Sequence, residues 1–454
     1  MSKPWAVILA AGEGKRMKSK LPKVLHRLCG REMINHVLEN VSPLTEKQII
    51  VVGHGAHKVR ETLGEDYLYA YQKEQLGTGH ALLQALPLLP EEGSIFVLCG
   101  DTPLLATETL QDMWRSSQGM AATVLTAVVG EPSGYGRIIR EGGLLRAIVE
   151  ERDASAAQKE INEINAGAYI FKVKILKRYL AALSNDNAQG EYYLTDIISA
   201  LVRDRYPVNA FKTPDSSDVL GINDRCQLAE VTKIMRERLN KRIMREGVTL
   251  IDPETTYIDV QARFKPDTLI YPQTVIEGEC IIGEGCVIGP NCHLQKVKVG
   301  DYSTITESVI IESEVGCGAT IGPFAYIRPQ SIIGDRVKIG DFVEIKKSVI
   351  GEETKIPHLS YVGDAEIKEG VNIGAGTITV NYDGKRKFRT TIEKNAFIGC
   401  NSNLVAPVKI GEGAYVGAGS TITEDVPADA LAIARQRQVN KEGLAKKFRN
   451  KKEE

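Results

Sequence analysis

Apolar positions along this chain keep two different rhythms, one before and one after about residue 265. In the first half, short β-prone runs such as Ile49 to Val52, Ile95 to Leu98 and Thr123 to Val129 alternate with helix-like stretches. One such stretch is Glu32 to Val41, where Met33, Ile34, Val37, Leu38 and Val41 share a face. The alternation predicts an α/β unit, a mostly parallel sheet with helices on both sides. From Gln227 to Arg245, Leu228, Val231, Ile234, Met235, Leu239 and Ile243 recur at helical spacing among Lys and Arg, which predicts a linker helix with a basic, solvated outer face.

Beyond that helix the period becomes six. Ile270, Ile276, Ile282, Ile288 and Leu294 are six apart, as are Ile321, Ile327, Ile333, Ile339 and Ile345, and Ile392, Ile398, Leu404, Ile410, Val416 and Ile422. No helix or alternating strand repeats at six, whereas a triangular β-helix sends one aliphatic inward per flat side. The expected fold is therefore an α/β domain followed by a left-handed parallel β-helix of hexapeptide repeats. The boundaries follow as 1–226, a linker helix over 227–250, the β-helix over 251–436 and a charged tail over 437–454. Thr379 to Thr391 is polar and basic and lacks a hexad aliphatic, so it is expected to leave the prism as a loop. The end AKKFRNKKEE is expected to be without fixed structure.

Composition narrows the class. At 454 residues the chain exceeds one core, and with 43% hydrophobic residues, 25% charged and a net charge of −1 it reads as globular, with no charge excess for nucleic acid or membrane. The apolar start is broken by Glu13, Lys15 and Arg16, so a signal-peptide core is not expected. Eight cysteines without a Cys-x-x-Cys pair argue against structural zinc, and a cytoplasmic location is expected.

Candidate chemistry starts at AVILAAGEGKRM, Ala6 to Met17, a β-prone run that ends in Gly12-x-Gly14. Glycine lets backbone N–H groups close on an anion, so a phosphate is the natural guest, although an ordinary strand-to-helix turn would read the same way. Neither common template fits. A dinucleotide fingerprint needs glycine where Met17 stands, and a Walker loop needs Ser or Thr at Arg16 and Gly at Leu9. Asp101 ends the apolar run SIFVLCGD, where ligands gather in open α/β sheets, and a carboxylate there suits Mg²⁺. Arg16 and Lys23 add cations for a triphosphate.

The motifs LAAGEGKRM, LPKV, QLGTGHA, LCGD, GYGRI, VEERD, INAGAYIF and LGINDR resemble, in order and spacing, the sugar-nucleotide pyrophosphorylases. With the hexads and the segment KIPHLSYVGDAEIKEGVNIGAGTITVNYDG, the chain resembles over nearly its whole length the bifunctional bacterial N-acetylglucosamine-1-phosphate uridylyltransferase/glucosamine-1-phosphate N-acetyltransferases.

For the first half the resemblance implies uridylyl transfer from UTP with release of pyrophosphate. Leu9, Ala10, Ala11 and Gly12 would line the uridine and phosphate site, Arg16 and Lys23 would meet the triphosphate, and Gln72, Gly77 and Thr78 would read the uracil. Cys99 and Gly100 complete the nucleotide side, Asp101 and Asn223 would hold Mg²⁺, and Gly136, Glu150 and Asn165 would hold the amino sugar. For the second half it implies acetyl transfer from acetyl-CoA to glucosamine 1-phosphate. His358 would be the general base, Glu344 would orient a neighbour, and Arg328, Lys346, Tyr361 and Asn372 would hold the sugar phosphate. Ala375, Asn381, Tyr382, Cys400, Ala418 and Arg435 would contact acetyl-CoA, with Cys400 standing where the family pattern has serine. The resemblance also implies a homotrimer and a supply of precursor for peptidoglycan and lipopolysaccharide synthesis.

Two other readings share this layout. One is nucleotidyl transfer alone, with the β-helix serving assembly; His358, Asn372 and the exit loop speak against it. The other is a non-catalytic interaction protein, which has no need of Asp101, Lys23 and Asn223 together.

Overall fold

The computed structural model describes residues 3–449, and the chain divides into two compact units between Arg236 and Glu237. The first unit is built on a nine-stranded sheet. Its main path runs Val208–Lys212, Ala122–Val128, Glu163–Lys172, Ser94–Cys99, Trp5–Ala10, Gln48–Val52 and Leu68–Tyr71. Both faces are covered. Val7, Ile49, Val51, Ile95 and Val97 bury one face, and Ala6, Ile8, Ile50, Phe96 and Leu98 the other, which is why these strands read as continuous apolar runs.

Along this path every pairing is parallel except those of Glu163–Lys172, which is antiparallel to both neighbours on it, and off the path Arg137–Glu141 pairs antiparallel with it and with Leu144–Val149. That exception positions the site. With Tyr169 opposite Val97, the amino end of the strand, at Asn165, lies at the edge where the parallel strand ends in Cys99. The chain winds outward from Trp5–Ala10 through Gln48–Val52 and Leu68–Tyr71, then returns to the other side with Ser94–Cys99. The crevice expected at such a reversal stands at the carboxyl end of Trp5–Ala10.

The helix Arg225–Arg245 contains the division between the units. Val231 and Met235 pack with Leu28, Met33, Leu104 and Ile222 of the first unit, and farther along Asn240 donates to Pro253 O (2.9 Å) and Thr256 O (3.2 Å) of the second. It stops at Arg245, short of the end of the 227–250 linker range assigned from sequence, because Thr249–Leu250 is already a strand, paired with Leu269–Ile270.

The second unit is a parallel β-helix of three sheets with eleven, ten and nine strands of two to four residues. Ile270, Ile288, Ile305, Ile321, Ile339, Ile356, Ile373, Ile398 and Val416 form one inward column, each at most 1% exposed. Each such side chain contributes about 1.5–3 kcal/mol of burial. The intervals between hexad runs continue the coil on five-residue sides, since Val299, Ile310 and Val315 are also buried on paired strands.

Two sequence expectations change here. Thr379 does not leave the prism: it is buried at the inward position of strand Ile378–Val380, and Thr390 is buried at the start of the returning strand Thr390–Ile392. A threonine is tolerated inside because its hydroxyl accepts from Gly363 N–H (2.8 Å) and donates to Gly363 O (3.1 Å). The excursion is therefore shorter, from Asn381 to Arg389. The tail, in turn, forms the helix Leu444–Arg449, with no buried side chain; the rest of that segment lies outside the described residues. No described helix is long and apolar enough to cross a membrane.

Candidate active sites

A cleft of about 250 Å³ opens beside strand Trp5–Ala10, lined by Leu9, Ala10, Ala11, Gly12, Lys23, Gln72, Gly77, Thr78, Cys99 and Asp101. Gly12 faces open space, so a side chain there would enter the cleft, whereas Gly14 has φ +65° and a Cβ on it would stand 2.8 Å from the Lys23 Cβ. Gly77, at φ +102°, leaves no room either: a Cβ would stand 2.7 Å from Tyr192 O. Gln72 is buried, donates to Gly77 O (3.2 Å) and contacts His80 Nδ1 (3.1 Å), which fixes its amide. Gly100 N–H donates to Leu9 O (2.9 Å), tying the two strand ends together.

The polar end of the cleft holds one cation between two oxygens. Lys23 Nζ pairs with the Asp101 carboxylate and donates to Asn223 Oδ1 (3.3 Å), with the Lys23 and Asp101 side chains only 13% and 23% exposed. Asn223 is held in turn by its N–H donating to Gln227 Oε1 (2.7 Å). Arg16 is exposed on the turn Lys15–Met17 and is not among the residues lining the cleft. Val24, Gln75, Ala81 and Glu191 also line it and were missed from sequence. Gln75 stands inside the QLGTGHA run and was findable there; Glu191 has no local signal.

The amino-sugar candidates converge next to Cys99. Asn165 N–H donates to Gly136 O (2.8 Å), and a Cβ on Gly136 would stand 3.4 Å from Glu150 Oε2, so glycine clears the space before the carboxylate. Two residues not expected from sequence steady the pair: Thr195 donates to Glu150 Oε1 (2.9 Å), and Asn165 Nδ2 donates to Tyr169 Oη (2.7 Å). Burial pushes the Glu150 carboxyl up, the Thr195 hydrogen bond opposes this, and Asp196, Asp153 and Glu191 add to it. Cys99 donates to Gly167 O (3.4 Å), and burial pushes its thiol up to about 12, which keeps it neutral.

In the β-helix, register assembles the second site around one turn between flat sides. His358 ends strand Lys355–His358 and stands opposite Asp341 of the preceding coil, and Asp341 Oδ1 lies 2.6 Å from His358 Nδ1. The imidazole is 57% exposed, which leaves Nε2 open to a ligand. Continuing the pairing of Lys355 with Asn372, of Ile373 with Ile398 and of Ile398 with Val416 places Ala375, Cys400 and Ala418 successively above His358 in one column. Cys400 and Ala418 are exposed, and the Arg435 side chain passes Gly419 beside the column. Asn372 lies on the same side, opposite Lys355 and Phe397.

Across the turn, the next flat side carries the charges. Arg328 donates to Glu344 (2.8 Å), and Lys346 pairs with Asp364 (3.3 Å). The hydrogen bond to Glu344 raises Arg328 further. Asn381 donates to Asp364 (2.6 Å) and to Tyr361 Oη (3.4 Å), so it stands with the sugar-phosphate candidates and not with the Ala375–Cys400–Ala418 column. Tyr382 is exposed on the excursion, its hydroxyl donating to Gly384 O (2.7 Å). Lys387, also from the excursion, is pushed down by hydrogen bonding with Lys346 and by its charge. Asp341 and Lys387 were missed from sequence.

Comparison with known proteins bears on both units. Residues 6–190 match the family model of the MobA-like NTP transferase domain, and 262–296, 312–347 and 389–424 match the bacterial transferase hexapeptide repeats. The chain is 53% identical to the bifunctional protein GlmU of Halalkalibacterium halodurans, covering 99% of this chain and 100% of that one. It is 54% identical to that of Geobacillus sp. (strain WCH70), covering both chains in full, and 53% identical to that of Bacillus subtilis (strain 168), covering 99% and 100%. With a nucleotidyltransferase sheet, a hexapeptide β-helix and this likeness from end to end, the chain belongs to the GlmU family of bifunctional enzymes, uridylyltransferase and acetyltransferase in one polypeptide.

Proposed function

We propose that the two sites run the two halves of UDP-N-acetylglucosamine synthesis with the residues described above. In the β-helix, glucosamine 1-phosphate lies across the turn, its phosphate against Arg328 and Lys346 and its amine toward His358. Tyr361, Asn372 and Asn381 stand beside the sugar phosphate, and acetyl-CoA lies along Ala375, Cys400, Ala418 and Arg435, with Tyr382 at its rim. His358 Nε2 takes the amine proton as nitrogen attacks the thioester carbon; the C–S bond breaks and the thiolate leaves as free CoA once protonated. Glu344 holds Arg328 in place.

In the α/β unit, UTP enters the cleft with uracil at Gln72, Gly77 and Thr78 and its phosphates over Gly12 toward Lys23, with Arg16 above. N-acetylglucosamine 1-phosphate sits at Gly136, Glu150 and Asn165. Its phosphate attacks the α-phosphorus, the bond to the bridging oxygen breaks, and pyrophosphate leaves. A phosphate needs no base, so the protein contributes positioning and charge.

Asp101 and Asn223 fit Mg²⁺: both present hard oxygens to one positive charge, that of Lys23. Among the described residues no group of three or more His, Cys, Asp or Glu forms a metal site, so the ion would complete its shell with water and phosphate oxygens. Bound there, it would neutralise phosphate charge.

Exposed Phe324 and Phe342 stack at 5.3 Å along the prism turn, with Leu359 60% exposed on the next coil. Such an apolar ladder supports assembly with further copies of this chain, as a trimer with the acetyl-CoA site at the subunit boundary. A protein that consumes UTP and acetyl-CoA would work in the cytoplasm.

The observation that carries this reading is that each constellation falls within one unit, Lys23 with Asp101 and Asn223 in the first and His358 with Asp341 in the second. The test is to incubate the protein with glucosamine 1-phosphate, acetyl-CoA, UTP and Mg²⁺ and to follow free thiol and pyrophosphate separately. Both should appear, with thiol release independent of UTP; absence of either overturns the corresponding half.

A further inference from the structure

We propose that Asp341 is a positioning residue for acetyl transfer, holding His358 in the tautomer and orientation that leave Nε2 free for the amine. This rests on the reading of His358 as the base. Three observations support it. Asp341 Oδ1 lies 2.6 Å from His358 Nδ1, a short hydrogen-bonding distance. The contact is built into the sheet, since Asp341 and His358 are register partners on adjacent coils. And the following coil places Ala375 above the ring, a residue with no competing charge.

The other charged groups near the ring are committed elsewhere or lie farther along the strands. Lys338 and Lys355 are register partners three residues away on the same side. Across the turn, Glu344 is paired with Arg328 and Lys346 with Asp364, and Tyr361 lies beside Asn381. The hydrogen bond from His358 holds the Asp341 carboxyl below the usual carboxylate range, so it is an anion at neutral pH. A carboxylate at Nδ1 selects the Nδ1–H tautomer, directs the Nε2 lone pair outward, and stabilises the imidazolium formed when the amine proton arrives.

Asp341→Asn should lower kcat/KM of acetyl transfer about ten- to hundredfold. Uridylyl transfer by the same preparation, measured with N-acetylglucosamine 1-phosphate supplied, should be unchanged and reports a folded protein. The ¹⁵N shifts of the His358 ring, read by long-range ¹H–¹⁵N correlation, should show the Nδ1–H form in the parent and a mixture in Asp341→Asn. If the rate and ring shifts of Asp341→Asn superimpose on the parent while His358→Ala is inactive, Asp341 has no such role and the proposal fails alone. If His358→Ala keeps full acetyl transfer, the base assignment fails, and this inference with it.

Discussion

Lys23 donates to both Asp101 and Asn223, so one ammonium bridges the two oxygens assigned to the metal. A residue in that place has two effects when removed. Lys23→Met should lower kcat of uridylyl transfer by about 10²–10³, the usual cost of losing one charge-stabilising donor. It should also raise the affinity of the nucleotide-free protein for Mn²⁺, because no resident cation competes. Free Mn²⁺ read by electron paramagnetic resonance checks the second effect; equal affinity in parent and variant would contradict it.

Gly12 and Gly77 separate ligand space from backbone need. A Cβ at Gly12 meets nothing and enters the cleft, so Gly12→Ala should melt with the parent and raise KM for UTP at least tenfold. At Gly77 φ is +102° and the Cβ would collide with Tyr192 O, so Gly77→Ala should lose about 1–3 kcal/mol of stability. Thermal melts with and without UTP distinguish the two.

Glu150 should give a pH dependence to uridylyl transfer alone. Burial raises its carboxyl, so it protonates at higher pH than an ordinary glutamate near about 4.3. As the pH is lowered, KM for N-acetylglucosamine 1-phosphate should therefore start to rise before other carboxylates titrate, while KM for UTP stays flat. Glu150→Gln should remove that pH dependence and raise KM about 10- to 100-fold, equivalent to about 1–3 kcal/mol for a lost buried acceptor.

Thr379 shows what a polar side chain inside the prism requires. Thr379→Val keeps the shape but leaves Gly363 N–H and C=O without their partner, and should cost about 1–3 kcal/mol in denaturant unfolding. Because Gly363 follows Tyr361 on the same strand, acetyl transfer should weaken as well. Unchanged stability would contradict the accounting.

The hexad aliphatics were legible because each is both apolar and periodic, and the strand-end motifs because glycine and aspartate punctuate apolar runs. Other features left no such trace. Thr379 reads as a break because the period alone does not show that a hydroxyl can be satisfied inside the coil. Asp341 follows an inward Ile339 and Gly340, just as Asp335 follows Ile333 and Gly334. Only the strand register, 17 residues from Asp341 to His358, tells the aspartate that meets the histidine from the one that does not. The antiparallel run of Glu163–Lys172 likewise has no local signature, although it is what carries Asn165 to Cys99.

Two separable centres are the core of this account, and paired substitutions test them most directly. Pyrophosphate release is measured with N-acetylglucosamine 1-phosphate, UTP and Mg²⁺, and thiol release with glucosamine 1-phosphate and acetyl-CoA, on Asp101→Asn and His358→Ala. Asp101→Asn should lose only pyrophosphate release and His358→Ala only thiol release; a folded variant that loses both would contradict the assignment.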